Sequence, residues 1–318
     1  MRALVTGANG FMGSQLCAVL KEQGHEVRAM VRPTSNLRWL EGLELELVRG
    51  DLTDAGSLAA AVKGVDWVFH AGATLRAASR EEFERVNYQG TVNLLNQSIA
   101  AGVRRLVFFS TVAASGPARS AEEPLTEEQV SRPVSAYGRS KLLAEQALQA
   151  ERARLHSVVL RFPVVYGPAD RDMLLVWRWL SRGVLPMLGR SFSIVYVKDA
   201  VRAAVLAAER ATVAGSVYFI TDGQCHSYDD VARAAEKVFG RRPRRVRVPA
   251  GLLFLMAGLN ERLGRASIFT RDKARELACK DWVCSSERAA QELGYAPQFS
   301  LEQGLAETVR WYRAAGWL

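Results

Sequence analysis

Short apolar runs alternate with longer segments of helical spacing over the first 160 residues of the chain. The runs are rich in Val, Leu and Phe and lack strict polar alternation, which predicts strands covered on both faces. Alternation of strand and helix in turn predicts a parallel sheet with right-handed crossovers. The predicted strands are Ala3–Val5, Val27–Val31, Leu45–Val48, Trp67–Phe69, Leu106–Phe109 and Val158–Leu160, and the predicted helices are 12–23, 55–63, 81–101 and 136–153.

The regular alternation of predicted strands and helices changes after Arg161, where loops lengthen and Pro and Gly become frequent. A further helix is predicted over Lys198–Glu209, and further strands over Val217–Ile220 and Val246–Val248. We therefore predict an α/β chain, in which a doubly wound parallel Rossmann sheet carries a smaller, discontinuous C-terminal substrate lobe. The predicted division gives residues 1–165 and about 193–221 to the Rossmann domain, and residues 166–192 and 222–318 to the lobe.

A glycine-rich turn follows the first predicted strand and opens the first predicted helix. Its glycines, Gly7, Gly10 and Gly13, have the spacing GxxGxxG. They permit a tight turn, close approach of the backbone to a pyrophosphate, and close packing of helix on strand. The helix N-terminus also offers free N–H groups to phosphates. A plain turn is the alternative, but position and spacing favour a dinucleotide site, whose predicted contacts are Gly7, Asn9, Gly10, Phe11, Met12 and Gly13.

The residue after the second strand bears on which nicotinamide dinucleotide is bound. Sites for NAD place Asp or Glu there to bind the ribose diol, whereas this chain has Val31-Arg32. Arg32 suits the 2′-phosphate of NADP, with Arg38 as a second cation, so NADP is favoured over NAD. If Arg32 is a solvated loop residue instead, either cofactor can bind. Further predicted cofactor contacts follow the third and fourth strands: Asp51, Leu52, Ala71, Gly72 and Ala73.

Tyr137 and Lys141 lie four residues apart at the start of a predicted helix, which puts them on one face. A phenol with a pKa of about 10 is a poor acid or base at neutral pH. A neighbouring ammonium favours the phenolate and brings proton transfer nearer the working pH. Ser110 and Thr111 follow the fifth strand and offer hydroxyls at the same edge of the sheet. Together these side chains predict acid–base chemistry on a bound oxygen.

The chain resembles the extended short-chain dehydrogenase/reductases, also called the NAD-dependent epimerase/dehydratase family. The resemblance spans about the first 200 residues and implies Tyr137 as general acid/base and Lys141 as its modulator and cofactor anchor. It also implies Thr111 as the hydroxyl residue, with Ser110 in reserve, and Asn87 as a supporting residue. The motifs that carry it are TGANGFMG (6–13), GDL (50–52), HAGA (70–73), VNYQGT (86–91), STVAASG (110–116), YGRSK (137–141) and LRFPVVYGP (160–168).

Departures from the family pattern narrow the predicted substrate. Nucleotide-sugar epimerases carry Asn in an RxxN pattern after the sixth strand, where this chain has Val164. They also carry an Arg-Asp-aromatic run before His-Val-Asp-Asp, which here reads FSIVYVKD over 192–199. The remaining pattern is closer to dihydroflavonol reductases and 3β-hydroxysteroid dehydrogenases. The predicted cofactor contacts are completed by Tyr137, Lys141, Phe162, Pro163 and Val164.

The resemblance implies an NAD(P)-dependent oxidoreductase that interconverts a carbonyl and an alcohol on a small, largely apolar substrate. A nucleotide-sugar epimerase or dehydratase with transient oxidation is the alternative. A non-enzymatic dinucleotide sensor ranks last, because the Tyr–Lys pair is present. Four apolar residues are candidates for a substrate lid, although packing of the lobe explains them equally well: Met173, Leu174, Trp177 and Trp179.

Composition adds few constraints. The four cysteines form no CxxC pair and no His cluster accompanies them, so neither a metal site nor a disulfide is expected, and a cytoplasmic location fits. No stretch approaches the roughly 18 apolar residues of a membrane span. The net charge of +9 permits anionic partners but identifies none. A homodimer through the helices at 91–101 and 138–153 is left open.

Three further features can each be interpreted as structural or as functional. The basic stretch Arg241–Arg247 is interpreted as a solvated loop and edge strand, so no nucleic-acid partner is expected. The apolar stretch Gly251–Leu259 is either a membrane-surface helix or, by preference, a helix packed between lobes. His70 falls at a strand end, where its polar neighbours favour a structural role over catalysis.

Overall fold

The protein is described from a computed structural model, which covers residues 1–77, 79–211, 213–262 and 270–318. Its strands in chain order are β1 (Arg2–Thr6), β2 (Glu26–Val31), β3 (Glu46–Arg49), β4 (Trp67–His70), β5 (Arg105–Thr111), β6 (Ser157–Phe162), β7 (Val164–Tyr166), β8 (Val184–Met187), β9 (Ser191–Phe192), β10 (Ile194–Tyr196), β11 (Ser216–Phe219), β12 (His226–Ser227), β13 (Arg244–Arg247) and β14 (Asp281–Trp282). Its α-helices are α1 (Phe11–Glu22), α2 (Ala55–Val62), α3 (Arg80–Phe83), α4 (Gly90–Ala100), α5 (Ala136–Ala150), α6 (Leu174–Ser181), α7 (Val197–Arg210), α8 (Tyr228–Phe239), α9 (Ala250–Arg262), α10 (Arg271–Ala278), α11 (Glu287–Leu293) and α12 (Leu301–Ala314).

Seven parallel strands form the central sheet in the order β11-β6-β5-β4-β1-β2-β3. Alternate residues of each strand enter opposite layers of the core. Val5 and Phe69 pack with α1 and α7 on one face, and Leu4 and Val68 pack with α2, α4 and α5 on the other. The doubly wound parallel sheet is therefore confirmed. The chain order reverses between β1 and β4, and open α/β sheets bind ligands beyond the carboxyl ends of the strands at such a switch point.

The prediction that every strand is covered on both faces is wrong for β3. Leu47 is 51% exposed, and Glu46 and Arg49 are also exposed. β3 is the last strand of the sheet, so it has only one neighbour and few side chains above it. Charged residues on an edge strand oppose unwanted pairing with other chains.

The predicted helix over 81–101 consists of three segments. The short helix α3 runs into a π-helical segment, Glu84–Gln89, which continues as α4. A π segment inserts an extra residue into the helical turn and is frequent at functional sites. Asn87 lies within it. The sequence indicates the helix but gives no sign of the change in its winding.

Smaller sheets form beyond Arg161. β7 pairs with β10, β8 pairs with β13, and β12, β9 and β14 form a third sheet. Two helices of this part, α8 and α12, begin with capping boxes in which Ser227 and Ser300 accept hydrogen bonds from the third residue of each helix. The predicted helix at 198–209 and the strand at 217–220 are confirmed as α7 and β11, and the strand at 246–248 as β13, shifted toward the N-terminus.

A buried ion pair joins α5 to the sheet. The guanidinium Nη2 of Arg161 on β6 lies 2.6 Å from Oε2 of Glu145 on α5, and both side chains are almost fully buried. Arg161 also donates to Ser131 Oγ at 3.0 Å, and Ser110 donates its hydroxyl to Glu145. Each charged group is thus satisfied by the other and by hydroxyls, as a buried charge requires.

Arg161→Met should lower the free energy of unfolding by about 3–5 kcal/mol, because it leaves the Glu145 carboxylate buried without its cation. Urea unfolding measures the change. The double variant Glu145→Leu/Arg161→Met should recover most of the loss, since it removes both charges. Arg154→Met, at the exposed pair with Glu151, is the matched control and should cost less than about 1 kcal/mol. An Arg161→Met protein that is as stable as the Arg154→Met control would contradict the prediction.

Candidate active site

The glycine turn after β1 leaves no room for side chains. Gly7 has φ +66°, and a Cβ there would lie 2.8 Å from Gly72 Cα. A Cβ on Gly13 would lie 2.2 Å from the carbonyl oxygen of Gly7. No side chain caps α1 at Gly10, and no acidic residue occupies its first turn. The open N–H groups of Phe11, Met12 and Gly13 therefore fit the pyrophosphate of a dinucleotide.

Arg32 and Arg38 have different surroundings. Arg32 is exposed, and its guanidinium forms no ion pair with any residue that the structure describes. The Arg38 guanidinium instead lies 3.8 Å from the ring centroid of Trp39 and packs in an aromatic cluster with Trp317. Arg32 is therefore the more exposed of the two cations that could pair with a ribose phosphate.

Asp51 follows β3 at the same edge of the sheet. Its Oδ1 accepts hydrogen bonds from Thr53 Oγ1 at 2.7 Å and Thr53 N at 2.8 Å. These bonds hold the pKa of Asp51 below its usual value, with smaller contributions from Arg32 and Arg85. Asp51 thus keeps an ionised carboxylate at this edge, where the sequence predicts a contact with the cofactor. Leu52 beside it is buried.

His70 at the end of β4 is buried and bonded through both ring nitrogens. Nδ1 lies 2.8 Å from Thr6 Oγ1, and Nε2 lies 2.9 Å from Thr91 Oγ1. Thr91 donates its own hydroxyl to the carbonyl of Asn87, so we assign the ring proton to Nε2. Burial, and then the charge of Lys141, lower the pKa of His70 to about 3. The structural role predicted for His70 is confirmed.

Asn87 extends this network to the helix that carries Tyr137. Its Nδ2 donates to Ser140 Oγ at 3.1 Å and to the Thr74 carbonyl at 3.0 Å. Its Oδ1 accepts from Thr74 N at 2.8 Å. Ser140 donates to the carbonyl of Tyr137 at 2.7 Å. The side-chain amide of Asn87 therefore links the loop after β4 to the start of α5, which is consistent with the supporting role expected for this residue.

Lys141 is 2% exposed and lies under the sheet edge. Its ammonium is 3.9 Å from the ring centroid of Phe108. Burial lowers the pKa of Lys141 to about 7, although the charge of Glu145 opposes the shift. The ammonium can therefore gain or lose its proton near neutral pH. Lys141 and Tyr137 share one face of α5, as the spacing predicts.

Tyr137 is positioned by caps from two sides. The N-cap residue Ser135 accepts from Gly138 N, and Asp272 of α10 accepts from Ala136 N at 2.7 Å and from Tyr137 N at 3.2 Å. Ser135 in turn donates to Glu276 of α10. The first turn of α5, whose N–H groups lack helical partners, is thus fixed by carboxylates from a distant part of the chain.

The expectation that Lys141 lowers the pKa of Tyr137 is not met in this structure. Burial raises the pKa of the Tyr137 phenol, and the negative charges of Glu276 and Asp172 raise it further. Asp172 forms an ion pair with Arg76 across 2.7 Å, between the loop after β4 and the loop before α6. The phenol therefore holds its proton, which suits an acid more than a phenolate base.

The two candidate hydroxyls after β5 differ in what they bond. Ser110 is buried and donates its hydroxyl to Glu145, so it is engaged in the ion pair described above. Thr111 Oγ1 accepts from Ala113 N at 3.2 Å, as the cap of the 3₁₀ turn Val112–Ala114. That bond uses a lone pair and leaves the O–H of Thr111 free to donate. Of the two hydroxyls, only that of Thr111 can serve a reacting oxygen without breaking a bond.

The remaining predicted residues vary in exposure. Val164 is 43% exposed, Ala73 is exposed, and Phe162 is buried, whereas Ala71, Gly72 and Pro163 are half-buried. Of the lid candidates, Trp177 is 4% exposed and its ring lies 6.1 Å from that of Tyr166, so it packs in the core. Three others stay half-buried: Met173, Leu174 and Trp179.

Asp272 and Glu276 are absent from the sequence-based prediction. They lie more than 130 residues beyond Ser135 and Tyr137, and α10 carries no motif that signals a contact with another helix. Only the fold brings them to the N-terminus of α5. The Glu145–Arg161 pair is a second such case, because a charged residue within a helix or strand is ordinarily exposed.

Comparison with known proteins agrees with this geometry. The sequence profile described as the NAD dependent epimerase/dehydratase family matches residues 3–220. Ceramide reductase of Caulobacter vibrioides is 33% identical over 99% of this chain and 95% of that protein. The 2-alkyl-3-oxoalkanoate reductase of Stenotrophomonas maltophilia is also 33% identical, over 96% of this chain and 97% of that protein. Among solved structures, MoeE5 in complex with UDP-glucuronic acid and NAD is 28% identical, with a TM-score of 0.79 over 99% of this chain and 100% of that one.

Lys141→Met should raise the free energy of unfolding of the cofactor-free protein below pH 7, by about 1–3 kcal/mol. The folded protein binds the lysine proton with a pKa of about 7, against 10.5 for the free side chain. The wild type therefore loses stability as the pH falls through this window, and the variant does not. The gain should shrink as the pH rises toward 10.5.

Urea unfolding at a series of pH values measures this difference. Lys63→Met, at an exposed lysine, is the control and should show no pH-dependent gain. A Lys141→Met protein that is less stable than wild type at every pH would contradict the prediction.

Proposed function

Because this chain belongs to the NAD-dependent epimerase/dehydratase family, and is an NAD(P)-dependent oxidoreductase of the extended short-chain dehydrogenase type, we propose that it interconverts a carbonyl and an alcohol on a small, largely apolar substrate. Tyr137 is the acid–base residue of this proposal, Lys141 its modulator and Thr111 the hydrogen-bond donor to the reacting oxygen. The lobe formed by residues 166–192 and 222–318 would cover the substrate.

One observation carries the proposal. Tyr137 and Lys141 share a face at the start of α5, and hydrogen bonds through Ser140, Asn87, Thr91 and His70 connect that helix to Thr6, beside the glycine turn that would hold the dinucleotide. A phenol with its proton and a lysine with a pKa of about 7 thus sit on rigid supports at the crevice of the sheet. This arrangement supports proton transfer coupled to hydride transfer.

The chemistry divides between cofactor and side chains. When bound, a nicotinamide dinucleotide supplies or takes a hydride at its C4 atom. In the reducing direction Tyr137 donates its phenolic proton to the carbonyl oxygen, and the new C–H and O–H bonds make the alcohol. Thr111 donates a hydrogen bond to the same oxygen. Lys141 then returns a proton to the phenolate, and solvent reprotonates Lys141; oxidation reverses each step.

The apolar character of the substrate rests on two observations. Val164, with its exposed isopropyl group, stands where nucleotide-sugar epimerases carry an asparagine that grips a diphosphate. The names of two full-length relatives, ceramide reductase and 2-alkyl-3-oxoalkanoate reductase, both describe reductases of molecules with alkyl chains. We therefore propose an alkyl-bearing ketone or secondary alcohol as the substrate class.

An epimerase or dehydratase of a nucleotide sugar is the second candidate. It is favoured by the similarity to MoeE5, whose structure contains UDP-glucuronic acid and NAD. In such enzymes the oxidation is transient and the cofactor is regenerated. Net consumption of cofactor therefore separates the two candidates.

We also propose a preference for NADP over NAD. No carboxylate follows β2, and the exposed Arg32 can pair with a 2′-phosphate through its planar fork. The family is named for NAD, so the proposed preference for NADP rests on Arg32 of this chain.

Tyr137→Phe should lower kcat for the reduction of an alkyl ketone by roughly 10²–10⁴-fold, because the variant has no proton to donate. Cofactor affinity should be unchanged. The assay follows net oxidation of the reduced cofactor, and affinity is measured by titration of its fluorescence. Wild-type protein that converts a nucleotide sugar without net oxidation would favour the second candidate. Full turnover in Tyr137→Phe would remove Tyr137 from the catalytic role.

Arg32→Ala should weaken NADP binding by about 10- to 100-fold and leave NAD binding unchanged, since a hydrogen-bonded charge pair contributes about 1.5–3 kcal/mol. Isothermal titration with each cofactor measures both affinities. Arg38→Ala is the matched control, because the Arg38 guanidinium packs on Trp39. Equal or tighter binding of NAD by the wild type would contradict the proposed preference.

A further inference from the structure

The helix α9 buries one face and exposes another. Leu253 and Ala257 are buried, where they pack with Ala274 of α10. On the exposed side the residues recur with the spacing i, i+3, i+4 and i+7, which places them in one line along the helix. This apolar stripe consists of Leu252, Leu255, Met256 and Leu259. The helix therefore packs on α10 along one side, as an interpretation of this segment as a packed helix requires, while the side that carries the apolar stripe is exposed.

The apolar stripe is large and free of polar groups. Leu255 is 60% exposed and Leu259 is 51% exposed, and Phe254 beside them is exposed as well. From Gly251 to Leu259 the chain has no polar side chain at all. The helix has 13 residues and is about 20 Å long. Scattered exposed leucines are ordinary, but a contiguous apolar surface indicates a contact with an apolar partner.

Cationic side chains shortly precede the apolar stripe in the chain. β13 ends at Arg247, three residues before α9 begins, and all four of its residues are exposed. Arg245 is paired with Asp229, whereas Arg244 and Arg247 have no ion pair with any residue in the described part of the chain. We call Arg244, Arg245 and Arg247 the basic strand. Two exposed cations that lack an ion pair thus lie a few residues before the apolar stripe in the chain.

This combination matches the surface of an anionic bilayer. An interfacial helix buries its apolar face at the boundary of headgroups and acyl chains, while nearby cations attract anionic lipid headgroups. Within the described ranges, no helix has both the length and the apolar character to cross a bilayer. Contact in the plane of the membrane is the remaining geometry.

A second copy of the chain fits this surface less well. A two-fold interface is made by the same patch on both subunits, so an interface that included this surface would contain the cations of both basic strands. Like charges at an interface oppose association. The apolar stripe also offers no hydrogen-bonding group that could specify a protein partner, whereas a bilayer requires none.

We propose that the apolar stripe of α9 and the basic strand together dock this protein on an anionic lipid bilayer. α9 packs on α10, and α10 holds the first turn of the helix that carries Tyr137 through Asp272. In a docked molecule α9 would lie on the bilayer, and α10 would lie between α9 and α5, the helix that carries Tyr137. This last consequence rests on the proposed apolar substrate, but the docking does not.

Sedimentation with vesicles tests the docking directly. The purified full-length chain is mixed, without cofactor or substrate, with vesicles of phosphatidylcholine alone or with an equal mole fraction of phosphatidylglycerol. We expect binding to the anionic vesicles, weaker binding to neutral ones, and release as salt is raised. Wild-type protein that stays in the supernatant with anionic vesicles, or binds both kinds equally, would overturn the proposal.

Two double variants assign the binding to this surface. Leu255→Ser/Leu259→Ser and Arg244→Glu/Arg247→Glu should each lower the partition constant on anionic vesicles by about 10-fold or more. The matched controls are Leu47→Ser/Val130→Ser and Arg104→Glu/Arg152→Glu, which change exposed residues elsewhere and should bind as wild type. Equal losses in variants and controls would overturn the assignment.

Two further measurements complete the test. Light scattering on the wild type and on Leu255→Ser/Leu259→Ser measures the oligomeric state. A dimeric wild type and a monomeric variant would show that a second copy covers the apolar stripe, and would overturn the proposal. Turnover of a short, water-soluble ketone should be the same in the α9 variants and the wild type. Binding without any ketone reductase activity would leave docking intact and refute the proposed function instead.

Discussion

One chain of hydrogen bonds holds the candidate site together, and its central member is the uncharged ring of His70. It runs from Thr6 beside the glycine turn through His70, Thr91, Asn87 and Ser140 to the carbonyl of Tyr137. Every donor in it has an acceptor. In a buried setting, where an unsatisfied polar group is costly, such a chain permits few alternative arrangements. It therefore fixes the Tyr137 helix relative to the glycine turn after β1.

Burial sets the proton chemistry of the same region. It lowers the pKa of Lys141 to about 7 and raises the pKa of Tyr137, and the carboxylates of Glu276 and Asp172 add to the second effect. Glu276 belongs to α10, more than 130 residues beyond Tyr137, and Asp172 lies in the loop before α6. The acidity of the phenol thus depends on how α10 and the loop before α6 are seated, which couples the C-terminal part of the chain to the chemistry.

The sequence was sufficient for features whose causes are local. A glycine turn between strand and helix, apolar runs without alternation, and a Tyr–Lys pair at helical spacing each act through neighbouring residues. They predicted the parallel sheet, the alternation of its strands and helices, and the shared face of Tyr137 and Lys141 on α5. It was insufficient where distant parts of the chain meet. Asp272 at the start of α5, Glu145 against Arg161, and the exposed half of α9 depend on tertiary packing, which no short motif encodes.

The central claim is that a nicotinamide dinucleotide lies between the glycine turn and the Tyr137–Lys141 face of α5. A crystal structure of the protein with bound NADP tests it most directly. The account predicts the pyrophosphate on the N–H groups at the start of α1, the 2′-phosphate against Arg32, and the nicotinamide ribose within hydrogen-bonding distance of Lys141. A nicotinamide ring far from Tyr137, or a dinucleotide bound elsewhere on the protein, would contradict it.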